Sequence, residues 1–249
     1  MGITISVRDV KKRFGQKEVF QDVSFRVRKG EIVALFGPNG CGKSTLLNIL
    51  SRLVEKDGGK CDVDGFSSSR VSYVFQNYRD SLLPWRNVYD NVAFPLELQD
   101  MNADDIRKRV QEVESILGVR LDRRKYPYEL SGGQQQMLAF ARALVTRPQV
   151  FFIDEPFSAL DYENNLLLRK RLQEYCVIHR PTVLVVTHDI EEAVHLAGRI
   201  VVLSKPPARV VDVVENPSAY PRDLSFLDSK QYRDVKGRVF AAFQKGAGL

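Results

Sequence analysis

Two periodicities organise the chain. Near the N-terminus Ile3, Ile5 and Val7 alternate with polar residues, and Val23, Phe25 and Val27 do so again ahead of Lys29-Gly30. A repeat of two places alternate side chains on one face, so both segments predict half-buried antiparallel strands. Ile32 to Phe36 is instead continuously apolar and runs straight into glycines. That is the pattern of a strand covered on both faces that delivers the chain to a loop. Val150 to Ile153 and Thr182 to Val186 repeat it, each ending in polar residues, with helical stretches between. Strands alternating with helices predict a parallel α/β core.

Helices are expected from Lys43, near Tyr162 and from Asp189. Between roughly Asn87 and Arg147 the patterning is mainly helical, with Met137, Ala141, Leu144 and Val145 on one face of a helix opened by Ser131, which predicts a helical insertion lobe over about residues 87–147. After Pro206 and Pro207, ARVVDVV predicts one more strand. Tyr232, Val235, Val239 and Phe243 fall at helical spacing in a C-terminal extension over about residues 208–249. Docking of that helix on the sheet is the default, with a partner or a lipid surface as the other places it could go.

Composition narrows this picture only a little. With 249 residues and 44% hydrophobic positions the chain can bury one core with a small lobe beside it, so residues 1–249 are expected to form one unit. The absence of a long apolar run or a signal-peptide layout points to a chain that stays in the cytosol. Cys41, Cys61 and Cys176 are too few and too scattered for a disulfide framework or a metal site. A net charge of +6 suits an anionic partner, and equally an ordinary basic surface.

Chemistry enters at Gly37-Pro38-Asn39-Gly40-Cys41-Gly42-Lys43-Ser44-Thr45, which fits GxxxxGK[ST] between a buried strand and a helix. Glycines there let backbone N–H groups face phosphates, and the helix N-terminus adds partial positive charge. Lys43 is placed to reach the β and γ phosphates of a nucleotide, and the Ser44 hydroxyl to bind Mg²⁺, but by itself the motif names only a nucleotide site. Asp154 and Glu155, at the exit of the VFFI strand, supply a metal-side carboxylate and a candidate general base. Without the loop, such a pair would read as capping or solvated groups. Cys41, beside Lys43 and a helix N-terminus, is expected to favour its thiolate, so that alkylation blocks the enzyme and Mg-ATP protects it.

Leu130-Ser131-Gly132-Gly133-Gln134 separates this chain from other phosphate-loop proteins. Ser131, Gly132 and Gly133 make a second helix N-terminus with exposed N–H groups. From about residue 3 to residue 210 the sequence resembles an ABC transporter nucleotide-binding domain. The resemblance implies a RecA-like core with a mainly parallel sheet, an N-terminal antiparallel β subdomain and a helical subdomain carrying LSGGQ. It also implies two half-sites, each LSGGQ facing the γ-phosphate bound by a second nucleotide-binding subunit.

Other family elements follow in order. Gln76, after the strand Val71 to Phe75, resembles the Q-loop residue that senses Mg²⁺ and water near the membrane partner. Ser158-Ala-Leu-Asp161 resembles the D-loop, and His188 the switch histidine that touches the γ-phosphate and aligns Glu155. Phe14 matches the adenine-stacking position, where Tyr is common, with a core aromatic as the alternative. His179 and His195 carry no motif and read as surface or packing residues.

Ser81-Leu-Leu-Pro84-Trp85-Arg86-Asn87-Val88 is similar to a stretch in importer ATPases of the nitrate, sulfonate and taurine group. That implies permease subunits, a solute-binding protein behind them, no nucleic acid, and a peripheral place on the cytoplasmic face of the membrane. The competing readings are a soluble ABC ATPase acting on nucleic acid or the ribosome, and a non-catalytic paralogue. The short stretch from Ser67 to Val71 reads as a trimmed connection in the antiparallel lobe.

Overall fold

The alternating N-terminal segments form a long hairpin in the computed structural model, which describes residues 3–64, 66, 70–118, 122–157 and 160–248. Strand β1 (Ile3–Phe14) pairs antiparallel with β2 (Lys17–Arg28), and the chain then enters β3 (Ile32–Phe36), every residue of which is buried. Helix α1 (Lys43–Leu50) follows, and β4 (Gly58–Val63) returns to the free edge of β1, completing a three-stranded sheet in the order β2-β1-β4. The connection at Ser67 to Ser69 lies outside the described residues.

Next come β5 (Val71–Val74), α2 (Tyr78–Ser81), α3 (Val88–Glu97), α4 (Ala103–Leu117) and α5 (Gly132–Leu144). Polar caps start these helices: Asn87 and Asn102 accept backbone N–H bonds from Asp90 and Asp105, and Ser131 and Gln134 form a reciprocal capping box on α5. Met137, Ala141, Leu144 and Val145 all point inward. The rest of the core is β6 (Val150–Asp154), α6 (Tyr162–His179), β7 (Thr182–Thr187), α7 (Ile190–Leu196), β8 (Arg199–Leu203) and β9 (Val210–Glu215), followed by α8 (Leu224–Leu227) and α9 (Lys230–Ala247).

The large sheet has the order β5-β6-β7-β3-β8-β9, parallel except for the antiparallel edge strand β9. Its strands show why continuous apolar runs were needed. Val33 and Leu35 of β3 pack with α1 and the antiparallel sheet, whereas Ile32, Ala34 and Phe36 face the opposite layer of helices. Alternate side chains thus feed two separate cores, and no polar position on a central strand would be neutral. Helix α9 docks as expected: Val235, Val239 and Ala242 are buried, and Phe243 lies 5.4 Å, ring to ring, from Phe36.

Candidate active site

The phosphate-type loop occupies the gap between β3 and α1. Gly42, the N-cap of α1, has φ of 101°, and a Cβ there would come within 2.4 Å of Val19 and 2.5 Å of Phe20. Both the backbone angle and the close approach of β2 therefore require glycine. Lys43 is buried, and its Nζ donates to the carbonyls of Gly37 (2.9 Å) and Pro38 (3.0 Å). The ammonium is thus held at the mouth of the loop by groups from which a phosphate oxygen could take it over.

Beyond it, the Ser44 hydroxyl donates to Asp154 Oδ1 at 3.0 Å. Burial pushes the Asp154 carboxyl above its ordinary range, while the Ser44 hydrogen bond and Lys43 pull it back. Two hard oxygens side by side suit a magnesium ion, which takes one or two protein ligands and completes its shell with phosphates and water. Among the described residues no cluster of three or more His, Cys, Asp or Glu offers an all-protein metal cage.

Glu155 follows with φ of 45°, its N–H donating to Val186 O at 3.0 Å. One carboxylate oxygen accepts from Gln76 Nε2 at 3.0 Å, and the other lies 3.1 Å from His188 Nδ1. A left-handed backbone at a non-glycine residue is costly, and here the residue leaves β6 directly and is tied by its N–H to Val186 of β7. The cleft beside these groups, about 390 Å³, is lined by Phe14, Asn39, Lys43, Thr45, Gln76 and Glu155 among others. Phe14 is half exposed at the tip of the β1–β2 hairpin, with Lys12 Nζ 4.9 Å from its ring centre.

The structure therefore brings together the loop Gly37 to Thr45, Asp154, Glu155, Gln76, His188 and Phe14. It does not bring the other motif to this cleft. Ser131, Gly132, Gly133 and Gln134 head α5, and Asp161 caps α6 by accepting from Asn164 N at 2.9 Å. Neither group lines the cleft. Ser158 and Ala159 of the expected D-loop lie outside the described residues.

One expectation is overturned. Cys41 is fully buried against the sheet, and burial raises its thiol pKa more than Lys43 and the backbone lower it. Desolvation of a thiolate outweighs the local positive field.

Lys17 and Val19, also in the cleft wall, were not anticipated; their place on β2 opposite the loop is a tertiary fact. Gln136 was missed as well. It is buried in α5, and its amide donates to the carbonyl of Pro156, next to Glu155, so it ties the LSGGQ helix to the base-bearing loop.

A mainly parallel sheet with a phosphate-binding loop after its inner strand β3, reaching through Ser44 to paired carboxylates at the end of β6, two strands away, defines an ATPase of the phosphate-loop class. Within that class the comparisons are specific. Residues 20–158 match the family model described as "ABC transporter". An aliphatic sulfonates import ATP-binding protein of Bacillus cereus is 37% identical over 98% of this chain and 97% of its own length. A nitrate import ATP-binding protein of Synechococcus elongatus is 36% identical over 93% of this chain and 36% of its own. The ATP-binding cassette MJ0796, solved as a post-hydrolysis dimer bound to ADP and Pi, matches with a TM-score of 0.75 and 29% identity, over 87% of this chain and 100% of that one. The chain belongs to the ABC transporter family.

Proposed function

We propose that this chain hydrolyses Mg²⁺-bound ATP as the motor subunit of an importer for a small anionic solute of the sulfonate or nitrate kind. The observation that carries the catalytic part is the Glu155 carboxylate held between Gln76 and His188 beside Lys43 and Ser44. Glu155 takes a proton from the attacking water. His188 donates through Nδ1 to the carboxylate and keeps it aimed, and Gln76 holds its other oxygen. Lys43 and the loop N–H groups stabilise charge on the phosphates. Ser44, Asp154 and Gln76 are the residues that would hold Mg²⁺, whose chemistry is to neutralise developing phosphate charge.

Geometry and kinship support the remaining assignments. Phe14 stacks on the base. Ser131, Gly132, Gly133 and Gln134, absent from their own cleft, serve the ATP of a second copy, with Asp161 between the two sites. Residues 1–249 act as one nucleotide-binding domain.

A groove of about 310 Å³ between the edge strand β5 and helices α3 and α5, lined by Phe75, Pro95, Leu98 and Arg142, begins one residue from Gln76. It suits a permease segment on the cytoplasmic face of the membrane, and a solute-binding protein would deliver cargo on the far side. Among the described residues no helix is long and apolar enough to cross a membrane. The sulfonate and nitrate importer relatives support the solute class.

The test is Glu155→Gln. ATP binding should persist and a stable dimer should form with ATP, while turnover falls by roughly 10²-fold or more. Hydrolysis at the parental rate would sink the assignment of the base.

A further inference from the structure

His188 stands between Thr187 and Asp189, and both neighbours are tied to one buried carboxylate. Glu192, in the first turn of α7, accepts the Thr187 hydroxyl at 2.6 Å. The same hydroxyl oxygen accepts the Asp189 N–H at 3.0 Å. The second oxygen of Glu192 lies 3.5 Å from Arg169 Nη2 and 3.5 Å from Asn165 Nδ2. Arg169 Nε donates to Asn165 Oδ1 at 2.5 Å, and its guanidinium lies 5.5 Å from the ring centre of Phe157, two residues after Glu155. The Asn165 N–H closes the circuit on the carbonyl of Asp161 at 2.9 Å. The Arg169 and Glu192 side chains are only 6% and 9% exposed.

A buried ion pair is weak evidence for stability, because desolvation consumes most of the attraction between the charges. What this one supplies is direction. The groups within hydrogen-bond reach of Glu192 are Arg169 Nη2, Asn165 Nδ2 and the Thr187 hydroxyl, so an acceptor fits there, and with the Asp189 N–H donating into the Thr187 oxygen that hydroxyl turns its proton to Glu192. The turn from β7 into α7 is thereby fixed at both residues flanking His188.

We propose that Glu192 and Thr187 are positioning residues for His188, holding the β7–α7 turn so that Nδ1 meets the Glu155 carboxylate, with Arg169 tying that turn to the start of α6. The inference rests on the reading of His188 as the residue that aims the base. Charge on Glu192 is secondary to its capacity to accept: Gln in its place must offer Thr187 a donor or turn one toward Arg169.

Thr187→Val keeps the shape of the side chain and removes both hydrogen bonds. It should lower kcat for ATP about tenfold with KM changed less than about twofold, and Glu192→Gln should do the same. Because both act through one turn, the double variant should be no slower than the slower single, rather than showing the product of the two losses. A Thr187→Val enzyme that is folded by circular dichroism and turns over at the parental kcat overturns the proposal, as do losses that multiply. Should Glu192→Gln fail to fold, the kcat and KM of Thr187→Val alone still decide. His188→Ala is measured alongside. If it retains parental kcat, the reading of His188 itself fails; if it is impaired while Thr187→Val is not, only the positioning role fails.

Discussion

Two side chains at the cleft, Cys41 and Phe14, show how far residue identity can be read without neighbours. Cys41 has a helix N-terminus and Lys43 beside it, which favours a thiolate, yet it sits in the core under α1, where burial wins. Labelling of Cys41 by a thiol reagent near neutral pH should be about 100-fold slower than in the urea-unfolded chain, and Mg-ATP should slow it further, since access requires opening of the loop that the nucleotide holds closed. Peptide mass spectrometry gives the rate, and labelling as fast as in urea would restore the reactive-thiol reading. Phe14 is half exposed at the tip of the hairpin, with Lys12 against its ring. Phe14→Ala should weaken ATP binding by about 0.5–1.5 kcal/mol, seen as a raised KM with kcat nearly constant. The loop and the carboxylates were legible because phosphate chemistry allows few residue types in that order, and His188 only through the family resemblance. Glu192, Arg169 and Gln136 were not, because a charged or amide residue on a helix reads the same whether it faces water or a buried network.

At the scale of elements, apolar runs identified β3, β6 and β7, and helical spacing identified α5 and α9. Strand β8 escaped notice although all five of its residues are buried, because it follows α7 after a gap of only two residues, Ala197 and Gly198, and no polar turn announces it. Strand β4 was hidden by its own glycines and charges; it is an edge strand whose register with β1, not its composition, makes it a strand.

The segment after β9 holds an unannounced device. Arg222 is buried and donates to the carbonyls of Val194 (2.9 Å), His195 (3.0 Å) and Ala197 (2.9 Å), closing the C-terminus of α7 where carbonyls lack helical partners. Arg222→Met should cost about 1–3 kcal/mol, measured by urea unfolding, because the buried His195 carbonyl loses its Arg222 donor while Val194 and Ala197 keep only Asn216 Nδ2.

His195 beside it is buried and contacts the Arg222 carbonyl at 3.1 Å through Nε2. Burial, with Arg169 and Arg222 adding to it against the Arg222 carbonyl and Asp223, pushes its pKa down to about 4. The folded state therefore prefers neutral imidazole. Above about pH 6.5 neither state binds the proton and His195 is silent; as pH falls from there toward 4 the unfolded chain protonates first and stability drops, by about 2 kcal/mol at pH 5. His195→Gln should flatten the slope of unfolding free energy between those pH values, and an unchanged slope would remove His195 as its source.

For the whole molecule the decisive fact is a separation. The loop Gly37 to Thr45 shares its cleft with Gln76 and Glu155, whereas Ser131 to Gln134 head a helix that does not line it. On the proposed reading one chain carries halves of two different sites, which a symmetric pair would complete together. This division makes a prediction that a self-sufficient site does not. Lys43→Ala damages the loop half, and Gly133→Asp damages the other, placing a carboxylate where phosphate should dock and a Cβ 3.1 Å from Leu160. Each variant alone pairs only with itself and should be nearly inactive. In an equimolar mixture, half of the pairs contain one chain of each kind. In such a pair both lesions fall in one site, and the other site has an intact Lys43 opposite an intact Gly133. With independent sites the mixture should recover about a quarter of parental turnover. Recovery near zero, with mixed dimers confirmed by differential tagging, would show either that both sites must fire together or that the signature helix serves its own chain. The Glu155→Gln dimer separates these two, because a signature helix serving its own chain needs no ATP-dependent pairing.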